Sequence, residues 1–349
     1  MDSYAPAWRL VVDGVDVSPK AGHRLLRLAL TEKRGAEADE LTLELSDSDG
    51  RLALPAKGGA CTLSLGWIDT QSGRQLAMID KGRFKIDEIG HSGTPDKVTV
   101  RARSADLTGA FRRRRSQSWP AAGAQPGAGV PLREVLEEIG ARNGLTAVIS
   151  DELAGRTMGH LAQTNESDAA FLARLGRRFD AIATVKAGRL LFGPAGAGRT
   201  LGGAALEVAQ ITRADGDQHS YKAPDRGAHS GVVALWRDRA SASTKEVTVG
   251  ASDNPRRLQK IHASEAAARQ AAEAAQGRMK RGKAEFSLTL ARGRPDLFAE
   301  RPVRLAGWKP EIDGAGWIIV TATHAIDGSG GLTTRIECEL GRDGDGGET

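Results

Sequence analysis

Leu41-Thr-Leu-Glu-Leu-Ser alternates apolar and polar side chains without a break, the pattern of a strand that buries one face. The same period of two returns in Cys61-Thr-Leu-Ser-Leu-Gly-Trp, in Phe84-Lys-Ile-Asp-Glu-Ile and in Val98-Thr-Val-Arg-Ala-Arg-Ser. Trp8-Arg-Leu-Val-Val-Asp-Gly-Val-Asp-Val adds a strand that reverses at Asp13-Gly14, a dipeptide suited to a tight hairpin. Short alternating strands this closely spaced predict a first barrel-like β domain, a small barrel or sandwich, over residues 1–111. The texture then changes. Phe111-Arg-Arg-Arg-Arg-Ser-Gln-Ser-Trp119 leads into a loop rich in Ala, Gly and Pro from Pro120 to Val130, which marks a boundary.

Beyond that boundary the period becomes helical. Leu132, Val135, Leu136 and Ile139 form a stripe, and Gly144 suits the residue just past a helix end. Thr146-Ala-Val-Ile-Ser reads as a strand, and Thr164–Phe179 as a capped amphipathic helix. In it, Asn165 or Ser167 can accept the free amide hydrogens of the first turn. Phe171, Leu172, Leu175 and Phe179 fall on one face. Ala181–Phe192 reads as a hairpin turning at Lys186-Ala-Gly, so residues 112–205 are predicted to form an α/β middle domain.

Strand texture returns at Leu206–Thr212 and Ser230–Asp238. It resumes at Ala284-Glu-Phe-Ser-Leu-Thr-Leu and continues through Pro302-Val-Arg-Leu, Gly316–Ile326 and Leu332–Leu340. Residues 206–240 and 283–342 are therefore assigned to a second barrel-like β domain. Residues 241–282 are assigned to a helical insertion packing on the middle domain. Its Ala-rich centre, His262–Gln276, has high helix propensity with Ser264 as N-cap. An Ala-only face buries little area, so this helix must lie close against a neighbour. The tail 343–349 is read as disordered. The fold class expected is β-rich α+β: two barrel-like β domains, an inserted α/β domain, and a helical insertion in the second barrel.

Composition narrows the class. With 349 residues, 40% hydrophobic and 27% charged, the chain reads as soluble, globular and built of two or three domains. No apolar run approaches the ~18 residues that span a bilayer, and the start lacks a basic-then-apolar leader, so neither membrane nor Sec export is expected. A net charge of +5 permits acidic partners without demanding nucleic acid. Cys61 and Cys338 alone make neither a metal site nor a disulfide framework.

No complete reactive set emerges. The seven histidines include no i, i+4 pair and no HExxH. His219 and His229, near Asp215, Asp217 and Asp225, are better explained as polar loop residues than as a metal site. There is no Gly-x-Ser-x-Gly, and the glycine-rich stretch from Gly193 lacks the GK[ST] of a phosphate loop. Adjacent Asp87 and Glu88 face opposite sides of a strand and cannot flank one scissile bond. The chain is accordingly read as no enzyme, with no catalytic, cofactor-binding or metal residues and no cofactor. Arg112–Arg115, flanked by Phe111 and Trp119, is the strong charge cluster. It could pair phosphates while the aromatics stack on bases, which makes a nucleic-acid-binding module the alternative function. A solvated linker, or a loop docking on an acidic partner, explains it better. A cell-wall hydrolase is the third reading.

In order and spacing, nearly the whole chain resembles the late control D proteins of contractile-tailed phages. The pieces are Phe84-Lys-Ile-Asp-Glu-Ile, Val98–Leu107, the arginine run with Trp119, Asn165-Glu-Ser-Asp-Ala-Ala-Phe-Leu, Leu288–Leu297, Gly307-Trp308, Trp317–Ile326 and Gly330–Glu337. One departure is Ala299-Glu-Arg-Pro302, where relatives commonly place a small residue and Gly in a tight turn. The resemblance implies a structural hub of a contractile tail or related injection particle. It implies two barrel-like domains per chain, and a homotrimer whose six similar barrels join a hexameric tail tube to a trimeric spike. The implied partners are the tail spike protein, the tail tube and other baseplate proteins; the implied place is the virion tail, assembled in the bacterial host cytoplasm.

Overall fold

The computed structural model describes residues 4–342 apart from 36, 105–108, 121–128, 187, 225–228 and 328–330. The tail 343–349, most of the Pro120–Val130 loop and Asp225 lie outside the described residues. Alternation along the chain turns directly into register. Glu40–Ser46 buries Leu41, Leu43 and Leu45 and leaves Thr42 and Glu44 half-exposed. The hairpin forms where Asp13-Gly14 predicts it: Val12 pairs with Val15, and Asp13 (φ 47°) and Gly14 (φ 85°) both adopt the left-handed backbone of a type I′ turn.

Strands from both ends of the chain share one 13-stranded sheet. From one edge the order begins Gly216–Lys222, Glu285–Leu290, Gly331–Leu340, Trp317–Asp327. It continues Leu25–Lys33, Glu40–Ser46, Lys97–Arg103, Gln75–Ser92, Ala60–Asp69, Tyr4–Val12, Val15–Asp16. Ala209–Thr212 and Pro302–Ala306 branch from it as a parallel pair. The join is antiparallel, with His324 opposite Leu30 and Ala325 opposite Ala29. Two cores line this sheet. One holds Leu28, Leu30, Leu63, Leu65 and Phe84, and is completed by Ile326 and Leu332 from the C-terminal hairpin. The other gathers Phe286, Leu288, Trp317, Ile319 and Ile336.

A third core belongs to the middle of the chain. Helices Leu132–Arg142 and Asp168–Phe179 pack on a three-stranded sheet ordered Thr146–Ile149, Arg189–Pro194, Ala181–Lys186. The second helix is shorter than its sequence suggests. Leu161–Ser167 is a strand paired with Arg114–Trp119, and Asn165 sits at φ 47° beside an irregularity in that pairing. The helix begins at Asp168, capped by Ser167, whose Oγ accepts the Ala170 amide at 3.2 Å.

The region 231–281 departs from expectation. Gly231–Asp238, read as part of the second β domain, does not join the large sheet; it pairs with Ser243–Gly250 and Pro255–His262. Residues 243–262, expected within a helical insertion, are thus two strands, as β-branched Thr244, Val247, Thr248, Val249 and Ile261 favour. Only Glu265–Arg281 is helix, with Ser264 capping at 3.3 Å to the Ala267 amide. Its face Ala268, Ala272, Ala275 presses onto Val232, Ala234 and Val247 as a fourth core. Small side chains bring backbone and sheet close, the compensation an Ala face requires.

Candidate assembly surfaces and the buried charges behind them

The arginine run divides. Arg112, Arg113 and Arg114 are exposed, whereas Arg115 turns inward, 3.7 Å from fully buried Asp168. Its flanking aromatics are not available to a base. Phe111 and Trp119 are core residues, and Trp119 stacks on Phe171 at 5.2 Å while its indole N–H donates to Glu138 at 2.7 Å. The stacking half of the nucleic-acid reading is therefore lost. Asp87 and Glu88 pair separately, with Arg103 and Arg101 of the adjacent strand. His219 lies against Phe286 and Arg213, while His229 lies by the Asn254 carbonyl. Cys61 and Cys338 sit in different cores as free thiols, and burial pushes Cys61 up to about 11.

What sequence reasoning missed is a set of long-range buried ion clusters. At the first, all four cores meet. Arg281, 3% exposed at the end of the Ala helix, grips Asp180 through Nη1 and Nη2 at 2.6 Å each and Glu339 through Nε at 2.8 Å. Burial works against its charge, but those carboxylates hold the guanidinium above its ordinary value. Glu339 also pairs with Arg34, which pairs with Glu300. Glu300 accepts the Gly196 amide at 2.8 Å, and burial raises its carboxyl despite Arg34. Two of these acids sit on left-handed backbone. Asp180 (φ 51°) caps the Asp168–Phe179 helix, and Glu300 (φ 81°) is the third residue of the turn Phe298–Arg301. Glu300 is thus the departure noted in the sequence. The turn keeps the backbone that suits Gly while the carboxylate ties two regions together. A cleft of about 530 Å³, lined in part by Arg34, Ile182, Leu201, Phe298 and Glu300, opens beside this cluster.

A second cluster locks the seam of the large sheet. Lys81 Nζ binds Glu32 at 2.5 Å and donates to the Pro295 carbonyl at 2.9 Å. Fully buried His324 lies 3.1 Å from both Glu32 and the Leu297 carbonyl through Nε2, and 2.9 Å from Thr334 Oγ1 through Nδ1. Carboxylate and carbonyl only accept, so Nε2 carries the proton and Nδ1 accepts from Thr334. Burial, opposed by Glu32, keeps the ring's affinity for a second proton below the ordinary value. The unfolded chain therefore binds that proton first. His324 stabilises the fold above about pH 6.5, and the contribution is lost as pH falls below it. The urea midpoint should drop between about pH 7.5 and 5, and less steeply in His324→Gln. Parallel pH profiles for parent and variant would remove His324 from this account. Nearby, Arg292 lies over Tyr4 and Trp67, and Trp67 donates to the Gly293 carbonyl at 3.0 Å.

Within the middle core, Asp168 gathers Arg142, Asn143 and Gln163 into a third cluster. Each cluster joins separate elements, and the hydroxyl that lies beside a base, Thr334 against His324, is fully buried with it. At its two ends the large sheet carries the edge strands Gly216–Lys222 and Tyr4–Val12, the latter paired on its outer side only at Val11 and Val12.

A sheet continuous across two cores, with its buried ions committed to internal seams, defines a structural scaffold that works through its surfaces. The chain belongs to the phage tail baseplate hub (GPD) family, which it matches over residues 39–330. It is 38% identical to a probable baseplate hub protein of Escherichia phage 186, covering 97% of this chain and 94% of that relative. The corresponding protein of Escherichia phage P2 is 36% identical over the same shares. The 43 kDa tail protein of prophage MuSo2 from Shewanella oneidensis has the same fold, with a TM-score of 0.65 at 16% identity, covering 98% of this chain and 99% of that one. The protein is a structural component of the baseplate hub, and its place is the virion tail.

Proposed function

We propose that this hub protein assembles as a homotrimeric ring that joins the tail tube to the central spike. The observation that supports it best is the shared sheet: both β regions of one chain are held in one relation by strand pairing and by Lys81, Glu32 and His324. In this reading the two β regions are barrel-like domains, the first within residues 1–111 and the second within 206–222 and 283–342. Three copies present six similar faces to a hexameric tube and three to a trimeric spike, a symmetry match made by pseudo-sixfold packing. The middle α/β domain and the 231–281 sheet and helix stand outside the ring, toward other baseplate proteins. Assembly takes place in the host cytoplasm, and the role is mechanical and not catalytic.

The test is the solution mass by light scattering over a concentration series. A mass of three chains, or one rising toward three, is expected; a chain that stays monomeric even with its spike protein added would overturn the trimer.

A further inference from the structure

We infer that the face where the Asp168–Phe179 helix meets the Pro255–His262 strand and the Glu265–Arg281 helix docks an acidic segment of a protein partner. This goes beyond the hub reading, which assigns no partner to particular side chains. Six basic residues converge there. Arg177 and Arg178 come from the last turn of one helix, Arg278 from the other, and Arg256, Lys260 and His262 from the strand. The seam is fixed, since Arg278 donates to the Arg177 carbonyl at 2.6 Å.

Among the described residues, Asp180 is the one carboxylate within ion-pair reach of any of the six. It lies 3.8 Å from Arg278 and is already held by Arg281 at 2.6 Å. Arg178 is half-buried over the Phe179 ring, at 5.8 Å, with no acid beside it. A partly desolvated cation without a counter-charge is costly, and crowding like charges adds to that cost. The effect is visible on three of the groups. Burial, then Arg174, holds Arg178 below its ordinary proton affinity; burial, then Lys260 and Arg178, does the same to His262; at Arg278 burial outweighs the nearby Asp180. An anionic partner relieves both penalties at once.

Two features favour a polypeptide over a nucleic acid. Pro255–His262 is the outer strand of its sheet, and among the described residues no strand pairs with its far side, which leaves that edge open to an added strand. Of the aromatic rings beside the face, Phe179 is buried, and Trp236, opposite His262 in the sheet, is half-buried against the Ala-helix core with Lys245 5.6 Å over its ring, so neither lies open as a platform for a base. A strand bearing carboxylates satisfies charge and backbone edge together, whereas a phosphate backbone satisfies only the first.

The test uses the full chain at about 0.15 M salt, where screening already weakens loose surface attraction. Two labelled probes are compared by fluorescence anisotropy: a peptide of about ten residues alternating Glu and Val, and a DNA duplex of about 20 base pairs. The peptide is expected to bind more tightly than the duplex. Its affinity should fall by at least about tenfold in the triple variant R177E/R178E/K260E. It should not change when three exposed cations of the first β region are reversed instead, in K20E/K57E/R83E. Equal losses in the two triple variants, no peptide binding by the parent, or tighter binding of the duplex would each overturn the assignment. Because the readout is probe binding and not mass, its failure is distinct from failure of the trimer.

Discussion

Arg281→Ala should cost about 3–5 kcal/mol of unfolding free energy, the range for removing one partner of a buried ion pair. The reason lies in what stays behind. Asp180 would keep its charge in a buried site and Glu339 in a half-buried one, with Arg278 and Arg342 each 3.8 Å from Asp180 and Arg34 on Glu339 as the remaining partners. Helix packing gives little room to adapt. A side chain at Gly277 would meet Asp180 within 2.5 Å, so the Ala helix and the Asp180 cap touch almost directly. Arg281→Lys keeps the charge but loses the two-pronged grip on Asp180, and should fall between parent and Ala. Arg269→Ala, exposed on the same helix and paired with exposed Glu265, is the control and should cost less than about 1 kcal/mol. Urea unfolding of the four proteins would decide it. If Arg281→Ala matched Arg269→Ala, the four-core junction would not be the point where the fold is held together.

That junction also shows what a sequence of this kind hides. The alternating strands, the Asp13-Gly14 turn and the Ser264 cap were legible because each is decided by neighbours within a few residues. Arg281 and Asp180 are 101 positions apart, and Lys81 reaches a carbonyl 214 positions away. No periodicity marks such pairs. The strand Ser243–Gly250 was obscured for another reason. It buries only Val247, so its alternation is too polar to stand out from a loop. Gly231–Asp238 was recognised as a strand but given the wrong partners, since an apolar run states its burial and not the sheet that buries it. Phe111 and Trp119 erred in the opposite sense. Beside four arginines they admitted base stacking as the weaker of two readings, while their packing with Phe171 and its neighbours makes them core. Glu300 was signalled, but only through the family resemblance that marked its turn as unusual.

Asp168→Ala should be as damaging as the loss of Arg281, at about 3–5 kcal/mol, although it sits inside the stretch that most strongly suggested the family. Asp168 is fully buried and accepts from Arg142 Nη2 at 2.6 Å and Nε at 3.0 Å, from Asn143 at 2.8 Å and from Gln163 at 2.9 Å. Arg115 adds a fifth contact, from a second cation, at 3.7 Å, and the carboxylate occupies the first position of its helix, where the backbone field favours negative charge. Ala would orphan all of these donors together. Asn would restore the shape but turn two N–H groups toward donors, so Asp168→Asn should recover only part of the loss. The neighbouring Ser167→Ala removes one capping bond and should cost about 1 kcal/mol. Thermal and urea unfolding of the three variants separate the cases. A penalty for Asp168→Ala no larger than that for Ser167→Ala would mean that solvent replaces its partners and the cluster is not sealed. The expected order, Ala worst and Ser167→Ala mildest, would place the value of this stretch in rigidity: it holds Arg115 inward and leaves Arg112–Arg114 outward on the same strand and turn.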